Sequence, residues 1–520
     1  MNRSSPVLLV GIALLASLLS LSAPAADDLQ NKPKRQEPFG VQIVDEQTGR
    51  GVPLVELKTV SNVLFVTDSA GWAAIDDPAL LGHKVFFFVS SHGYEFSADG
   101  FGMRGRALDL TPGQTATLKI KRQNLAERLY RVTGEGIYRD TILLGKKAPI
   151  AEPLLNAHVV GQDSVQRVIL GDKIYWFWGD TSQQRYPLGH FGMACATGQL
   201  PGKGGLSPDI GVNLHYFTGQ DGFSRPTFER EGALLHWSDG YFVLKDQGGH
   251  ERVLAVVSVR KGLTEEVDRR LVEFQPDKAM HQTIKKLSMT SSLKPSGPSF
   301  VADRDGKKHV YFCRPLPEVR VPADFKAATD MSRYEAFTCL APGQKTIGAD
   351  TKLDRVDGGK LSWSWKRDTV PVSADDIEKL VKLGKMKADE AWLRPTAADT
   401  GEPIRLHAGS VAWNDYRKKW IMIANQIGGK SSLLGEVWYL EADAPEGPWD
   451  NAIKVVTHDR YSLYNPVHHP FFDQEDGRYI YFEGTYSSTF DRKADITPRY
   501  DYNNVMYKLD LKRLAEANGK

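Results

Sequence analysis

Asp163 and Asp180 bracket the stretch Asp163-Ser-Val-Gln-Arg-Val-Ile-Leu-Gly-Asp-Lys-Ile-Tyr-Trp-Phe-Trp-Gly-Asp180. Runs of β-branched and aromatic residues flank Gly171-Asp172, and glycine in the first position of a two-residue loop suits a II′ hairpin turn. That loop sets a register with Leu170 opposite Lys173, Ile169 opposite Ile174, Arg167 opposite Trp176, Val165 opposite Trp178 and Asp163 opposite Asp180. Directly opposed Cβ atoms lie roughly 4.5 to 5.5 Å apart, and like charges facing there destabilise a hairpin. Local folding therefore does not explain the pair. Each carboxylate raises the proton affinity of the other. Two carboxyls with separated pKa values are what glycosidic-bond hydrolysis uses, one as acid and the other as base or nucleophile. The bland alternative is a longer turn, a slipped register and two ordinary loop-end residues.

Such a pair needs a rigid frame, and from about residue 155 to 511 one unit recurs: a strand, a tight turn and a second strand ending in something polar. The first copy ends at Asp180. The second runs from Gly232 to Asp246 with a turn at Ser238-Asp-Gly240, and the third from Ser299 to Arg314 with a turn at Arg304-Asp-Gly306. The fourth, Ser410 to Asn425, turns around Asp415, and the fifth, His469 to Glu483, turns at Glu475-Asp-Gly477. The expected fold class is all-β, with five such sheets forming a five-bladed β-propeller. Gly136 to Leu144 could supply a strand missing from the fifth copy. Ser373 to Glu390 breaks the pattern as an inserted amphipathic helix, capped by Ser373 with Asp376 three residues on.

In a propeller the first strands line a central channel, so first-strand starts and second-strand ends share one rim. That rim then carries Asp163, Asp180, Glu231, Asp246, Ser299, Arg314, His407, Asn425, His468, His469 and Glu483. Trp178, Tyr186, Tyr464 and Tyr486 offer flat faces for a sugar ring. Each residue also has a structural alternative: the acids as turn caps, Arg314 as a carboxylate partner, the aromatics as sheet core. Only one of His468 and His469 can face the channel, since neighbours in a strand point to opposite faces. Glu483 is either a third rim acid or a residue that stabilises the repeat. Glu436 is a candidate general acid or a surface residue.

The address is read from the first residues. Arg3, the apolar run Val7 to Leu21 and Ala23-Pro24-Ala25 make a secretory signal peptide over 1–25. The run is too short for a comfortable membrane span, so the mature chain is expected to be secreted or periplasmic. At 520 residues it is long enough for two cored domains. Its net charge of +2 gives no electrostatic argument for nucleic acid or a membrane surface as partner, and no protein partner is inferable. Cys195, Cys313 and Cys339 allow at most one disulfide, and buried free thiols are expected. No zinc-type cluster is present, no metal ligand is assigned, and a structural calcium ion in the channel is the one cofactor left open.

Residues 26–37 read as a flexible lead-in, 38–121 as a small β-sandwich of short alternating strands, and 122–135 as a linker containing a short helix from Asn124 to Arg131. The propeller is expected over 136–515. Val44-Asp-Glu-Gln-Thr-Gly-Arg-Gly-Val-Pro53, followed by Thr67-Asp-Ser-Ala-Gly-Trp72, resembles the prealbumin-like, carboxypeptidase-regulatory domains, which implies an accessory module. Gly435-Glu-Val-Trp-Tyr-Leu-Glu-Ala-Asp-Ala-Pro-Glu-Gly-Pro-Trp449 resembles the blade strand and Gly-Pro-Trp turn of the arabinanase and fructosidase propellers. Gly161-Gln-Asp163 with Phe177-Trp-Gly-Asp-Thr181 resembles the opening of the more distant endo-D-arabinanase group. The resemblance implies a glycoside hydrolase acting on a polysaccharide or oligosaccharide, with the chemistry on Asp163 and Asp180. The arabinanase arrangement of three acids on the first three blades is not present in unambiguous form. A non-catalytic glycan-binding propeller is the second possibility. A polysaccharide lyase using His407, His468 or His469 with Arg314 is the third.

Overall fold

The Gly171-Asp172 hairpin pairs Leu170 with Lys173, Ile169 with Ile174 and Arg167 with Trp176. The regular ladder ends at Gln166 and Phe177. Beyond it Ser164 takes a left-handed conformation (φ 55°), and the Gly179 N–H donates to the Asp163 carbonyl at 2.9 Å. The computed structural model describes residues 36–517 apart from 292, 305, 393, 492 and 493. The expected signal peptide and most of the lead-in lie outside the described residues.

Pleating sends alternate residues of this hairpin to opposite faces. Trp176 and Trp178 enter a core with Tyr130, Val467, Tyr481 and Met506, whereas Tyr175 and Phe177 enter another with Tyr241, Val253 and Phe274. The hairpin is thus the inner half of a sheet that is apolar on both sides. Its four strands are Gln166–Leu170, Lys173–Trp178, Ala194–Gln199 and His215–Tyr216.

Four further antiparallel sheets follow the same plan. The second runs Leu235–Lys245, Glu251–Lys261, Glu265–Gln275 and Met280–Lys286. The third has five strands and begins with Ser299–Arg304 and Lys307–Cys313. The fourth is Leu406–Asn414, Lys419–Gln426, Glu436–Ala442 and Asp450–Thr457. The fifth joins Ser462–His468, Tyr479–Ser487 and Asn503–Asp510 to Glu127–Arg131, from the other end of the chain. An apolar core lies between each sheet and the next, and another between the fifth and the first. The five sheets therefore form a closed ring. A helix at Ala374–Lys382, with the expected Ser373 and Asp376 capping box, buries Ile377 and Leu380 in the core between the third and fourth sheets.

Four expectations are corrected. Asn124 to Arg131 is not a helix: Glu127–Arg131 is the missing strand of the fifth sheet, because Leu129 and Tyr130 bury at a sheet face. Gly136 to Leu144 is not that strand but contains the helix Arg139–Leu143. Ser238-Asp-Gly240 is not a turn. It is a bulge inside the single strand Leu235–Lys245, and the chain reverses instead after Lys245, which removes Asp246 from the rim. In the fifth sheet the inner strand is Ser462–His468, and the segment after His469 is a 3₁₀ turn begun by Pro470.

Ahead of the ring, two four-stranded sheets enclose a core that includes Val41, Ile43, Leu57, Ile75, Phe87 and Ile120. They are tied to the ring through Arg128. Its buried guanidinium donates to the carbonyls of Pro53 (3.1 Å), His92 (3.1 Å) and Leu54 (3.4 Å). Cys195, Cys313 and Cys339 are free and buried. Among the described residues no helix is long and apolar enough to cross a membrane.

Replacing Arg128 by Met strands those buried carbonyls, and each unsatisfied group costs about 1 to 3 kcal/mol. Arg128→Met is expected to lower unfolding free energy by about 3 kcal/mol in urea titrations followed by tryptophan fluorescence. An unchanged midpoint would show that the contact between the two parts contributes nothing.

Candidate active site

All five sheets contribute residues to a cavity of about 510 Å³. Asp163 and Asp180 enter it from the first sheet, Trp237 and Asp239 from the second, Arg314 from the third, His407 from the fourth and Asn465 from the fifth. The Asp163 carboxyl lies beneath Gly179, where any Cβ would strike Oδ1, so the close approach requires glycine.

The two carboxyls have different surroundings. Asp163 Oδ2 accepts a hydrogen bond from Tyr464 Oη at 3.0 Å, and the Tyr502 phenol also bonds the carboxylate. Burial raises the Asp163 pKa, while these phenols stabilise the ionised form and limit the rise. Asp180 Oδ1 accepts from Trp237 Nε1 at 2.8 Å. Burial, then the neighbouring Asp163 charge, push the Asp180 carboxyl up to about 7. The first proton lost from the pair therefore leaves Asp163, and Asp180 keeps its own to near neutrality.

Asp239 belongs to the frame. Its Oδ1 accepts from Gln166 Nε2 (3.2 Å), and its Oδ2 from Ser296 Oγ and Gly297 N, both at 2.9 Å. The bulge turns this side chain inward, as bulges beside functional sites commonly do.

Of the other residues singled out from sequence, Arg314 and His407 line the cavity and the rest do not. Burial and the Arg314 and Arg405 charges lower the His407 pKa. Glu231 is 42% exposed outside the cavity, bound by both terminal nitrogens of Arg270 (2.5 and 2.9 Å). Glu436 is buried against Ser431 (3.0 Å) and Lys454 (3.2 Å), at the start of a strand away from the axis. Asn425 is buried and accepts from Ala408 N at 3.1 Å. Trp178 is buried in sheet core, stacked on Trp176. Tyr486 is buried, stacked on Tyr461 and hydrogen-bonded to His92 (2.9 Å), so neither aromatic can receive a sugar.

The shift of the fifth inner strand to Ser462–His468 moves three further residues off the rim. His468 pairs with Asp473 at 2.8 Å. His469 Nε2 and Glu483 Oε1 lie 3.0 Å apart and fully buried. Burial pushes Glu483 up to about 8, with Arg167 offsetting part of the rise, and holds His469 well below its usual range. That cluster is a neutral internal pair. Tyr186 is exposed, and Tyr464 serves as a donor to Asp163 instead of a platform.

Trp237, Asp239, Tyr502 and Lys294 were not expected at the site. Ser238-Asp-Gly240 carried a signal for Trp237 and Asp239, since glycine inside a strand also marks a bulge. Tyr502 sits in a loop at φ 62°, and nothing in its sequence neighbourhood points to Asp163.

No family model and no curated protein matches the chain. Similar solved structures include a variant of an exo-beta-1,3-galactanase from Phanerochaete chrysosporium with beta-1,3-galactotriose. It shows 9% identity over 74% of this chain and 64% of that one, with a TM-score of 0.34. An alpha-L-arabinofuranosidase mutant from Fusarium graminearum with an iminosugar inhibitor shows 10% identity over 74% and 99% of the two chains, with a TM-score of 0.33. An exo-1,5-alpha-L-arabinanase from a bovine ruminal metagenomic library shows 8% over 68% and 94%, with a TM-score of 0.32. The match spans less than two thirds of the galactanase. Similarity at this level bears on neither substrate nor mechanism.

The Asp180 pKa has a consequence for stability that needs no substrate. Between the ordinary value of 3.8 and about 7 the folded protein holds a proton that the unfolded chain has released. Stability therefore falls as pH rises through that window. Asp180→Asn cannot titrate, so it is expected to exceed the wild type by on the order of 2 kcal/mol at pH 8 and to match it near pH 4. Melting curves at the two pH values check this, and a difference independent of pH would remove the raised pKa from the account.

Proposed function

We propose that the protein is an exported glycoside hydrolase: a five-bladed β-propeller, preceded by an accessory β-sandwich, that cleaves a polysaccharide or oligosaccharide at the centre of the ring. The observation that carries this is the placement of two aspartate carboxyls in the central cavity with different partners, Asp163 bound by phenols and Asp180 by an indole N–H. Asp180 donates its proton to the glycosidic oxygen as the bond to the anomeric carbon breaks, and Trp237 holds the acid in place. Asp163, ionised, stabilises the positive charge developing at the anomeric carbon. It then either bonds that carbon directly or takes a proton from the water that attacks it. A cavity of about 510 Å³ is in the range that encloses a small ligand, so only a short part of a glycan chain is gripped.

The lyase alternative draws on His407 and Arg314, which share the cavity. Elimination calls for one base and a cation on a uronate, and it leaves the second carboxyl without a role. The binding-module alternative loses two of its expected aromatic platforms, since Trp178 and Tyr486 are buried.

Asp163→Asn and Asp180→Asn are each expected to reduce turnover by about 100-fold or more on whichever glycan of a plant, algal and bacterial panel is cleaved, with both variants remaining folded. Wild-type activity is expected to decline above about pH 7 as Asp180 loses its proton. Products with an unsaturated ring would assign a lyase. Retention on a glycan by wild type and both variants, without product, would assign a binding module.

A further inference from the structure

Across the ring from the carboxyl pair, the cavity wall carries Lys294 and Arg314. Among the described residues neither forms an ion pair. The nearby carboxylates direct their hydrogen bonds to other partners. Glu266 is held by Arg269 through two hydrogen bonds of 3.1 and 2.6 Å. Asp239 is saturated by Gln166, Gly240, Ser296 and Gly297. Burial pushes the Glu318 carboxyl up to about 7, so it offsets only part of the charge of Arg314 at neutral pH. Arg260, a third cation in the cavity, is committed to the carbonyls of Leu263 (3.0 Å) and Thr264 (2.8 Å).

Lys294 and Arg314 also line an adjoining cavity of about 350 Å³, so they stand where the two spaces meet. Lys294 is partly withdrawn from water, which lowers its pKa; the Arg269 and Arg314 charges lower it further, and the Glu266 and Asp239 charges oppose the shift in part. Two cations placed together with no carboxylate in direct contact repel one another, and the Glu266 and Asp239 charges offset this only in part. A planar guanidinium beside an ammonium matches a carboxylate or sulfate, with one fork and one point charge.

We propose that Lys294 and Arg314 form a subsite for an anionic group, a carboxylate or a sulfate ester, carried by the sugar unit next to the cleavage point. This rests on the hydrolase proposal for the same cavity and narrows its substrate to acidic glycans. The fixed wall also explains why the loop Pro295 to Pro298 is anchored by Asp239: the anchoring sets the position of Lys294.

The test is binding of D-galacturonate, D-galactose 6-sulfate and D-galactose, by titration calorimetry and saturation-transfer NMR. It uses the full chain carrying Asp163→Asn, so that turnover plays no part. Both anionic sugars, or one of them, are expected to bind at least about ten-fold more tightly than galactose, with the preference weakening as salt is added. Preference for galacturonate alone names a carboxylate, and for the sulfated sugar alone a sulfate ester. Lys294→Met with Arg314→Met is expected to abolish the preference without changing galactose binding, and Arg314→Lys to retain part of it. Equal behaviour of all three probes, absence of binding included, would overturn the subsite, as would a preference that survives in the folded double variant. Anionic preference without cleavage of any glycan would sink the hydrolase proposal alone. Cleavage of a neutral glycan without anionic preference would sink the subsite alone.

Discussion

A ring of sheets made from one chain has to close, and here closure is the pairing of Asn503–Asp510 with Glu127–Arg131, Val505 opposite Arg131 and Lys508 opposite Glu127. Joining segments several hundred residues apart costs about 5 kcal/mol in chain entropy, so the seam has to be well made. Arg131 donates to Asn503 Oδ1 at 2.9 Å, Asn503 donates to Val160 O at 3.1 Å, and Gln162 N donates to Tyr502 O at 2.8 Å. The seam therefore runs directly into the backbone ahead of Asp163. Tyr502, at its edge, also bonds the Asp163 carboxylate. Closing the ring and fixing the first carboxyl are one event.

The proposed chemistry depends on asymmetry between two residues of the same type. Both aspartates are drawn out of water, which alone would raise both pKa values and leave them alike. Two phenols on Asp163 favour its anion, whereas Asp180 has the Trp237 indole N–H and sits in the field of that anion. Environment, not residue identity, separates the two carboxyls. Glu483 marks the contrast: it is also buried and its pKa also raised, but it is partnered by His469 inside the ring and does not line the cavity.

Sequence reasoning succeeded where the pattern was regular and local. The II′ turn set the hairpin register from Gln166 to Leu170, but the expected pairs Val165–Trp178 and Asp163–Asp180 lie beyond the ladder, where Ser164 is left-handed and Asp163 meets Gly179 instead. It failed where one local signal has two meanings. Ser238-Asp-Gly240 reads as a turn, but the partner strand Glu251–Lys261 continues past it, so it becomes a bulge. Leu129 and Tyr130 fit a helix as well as a strand until a partner from residues 503–510 decides the matter. Reading the fifth inner strand one segment too late, at His469 instead of Ser462–His468, moved His468, His469 and Glu483 onto a rim they do not occupy. Contacts between distant segments, such as Tyr502 with Asp163, have no local signature at all.

The misread bulge is also the element that joins the two halves of the site. Trp237, just before it, holds the Asp180 carboxyl, and Asp239, within it, receives Gln166 from the hairpin that carries the acid pair. The second oxygen of Asp239 binds Ser296 and Gly297, fixing the loop that begins at Lys294. An acid that must keep its proton to near neutrality is poorly served by a mobile cation beside it, which would favour the ionised form. Anchoring Lys294 through Asp239 keeps that charge on the far wall, where the proposed subsite would meet an anion. A single inserted residue in one strand thus joins the carboxyl pair on one side of the cavity to the cations of the proposed subsite on the other.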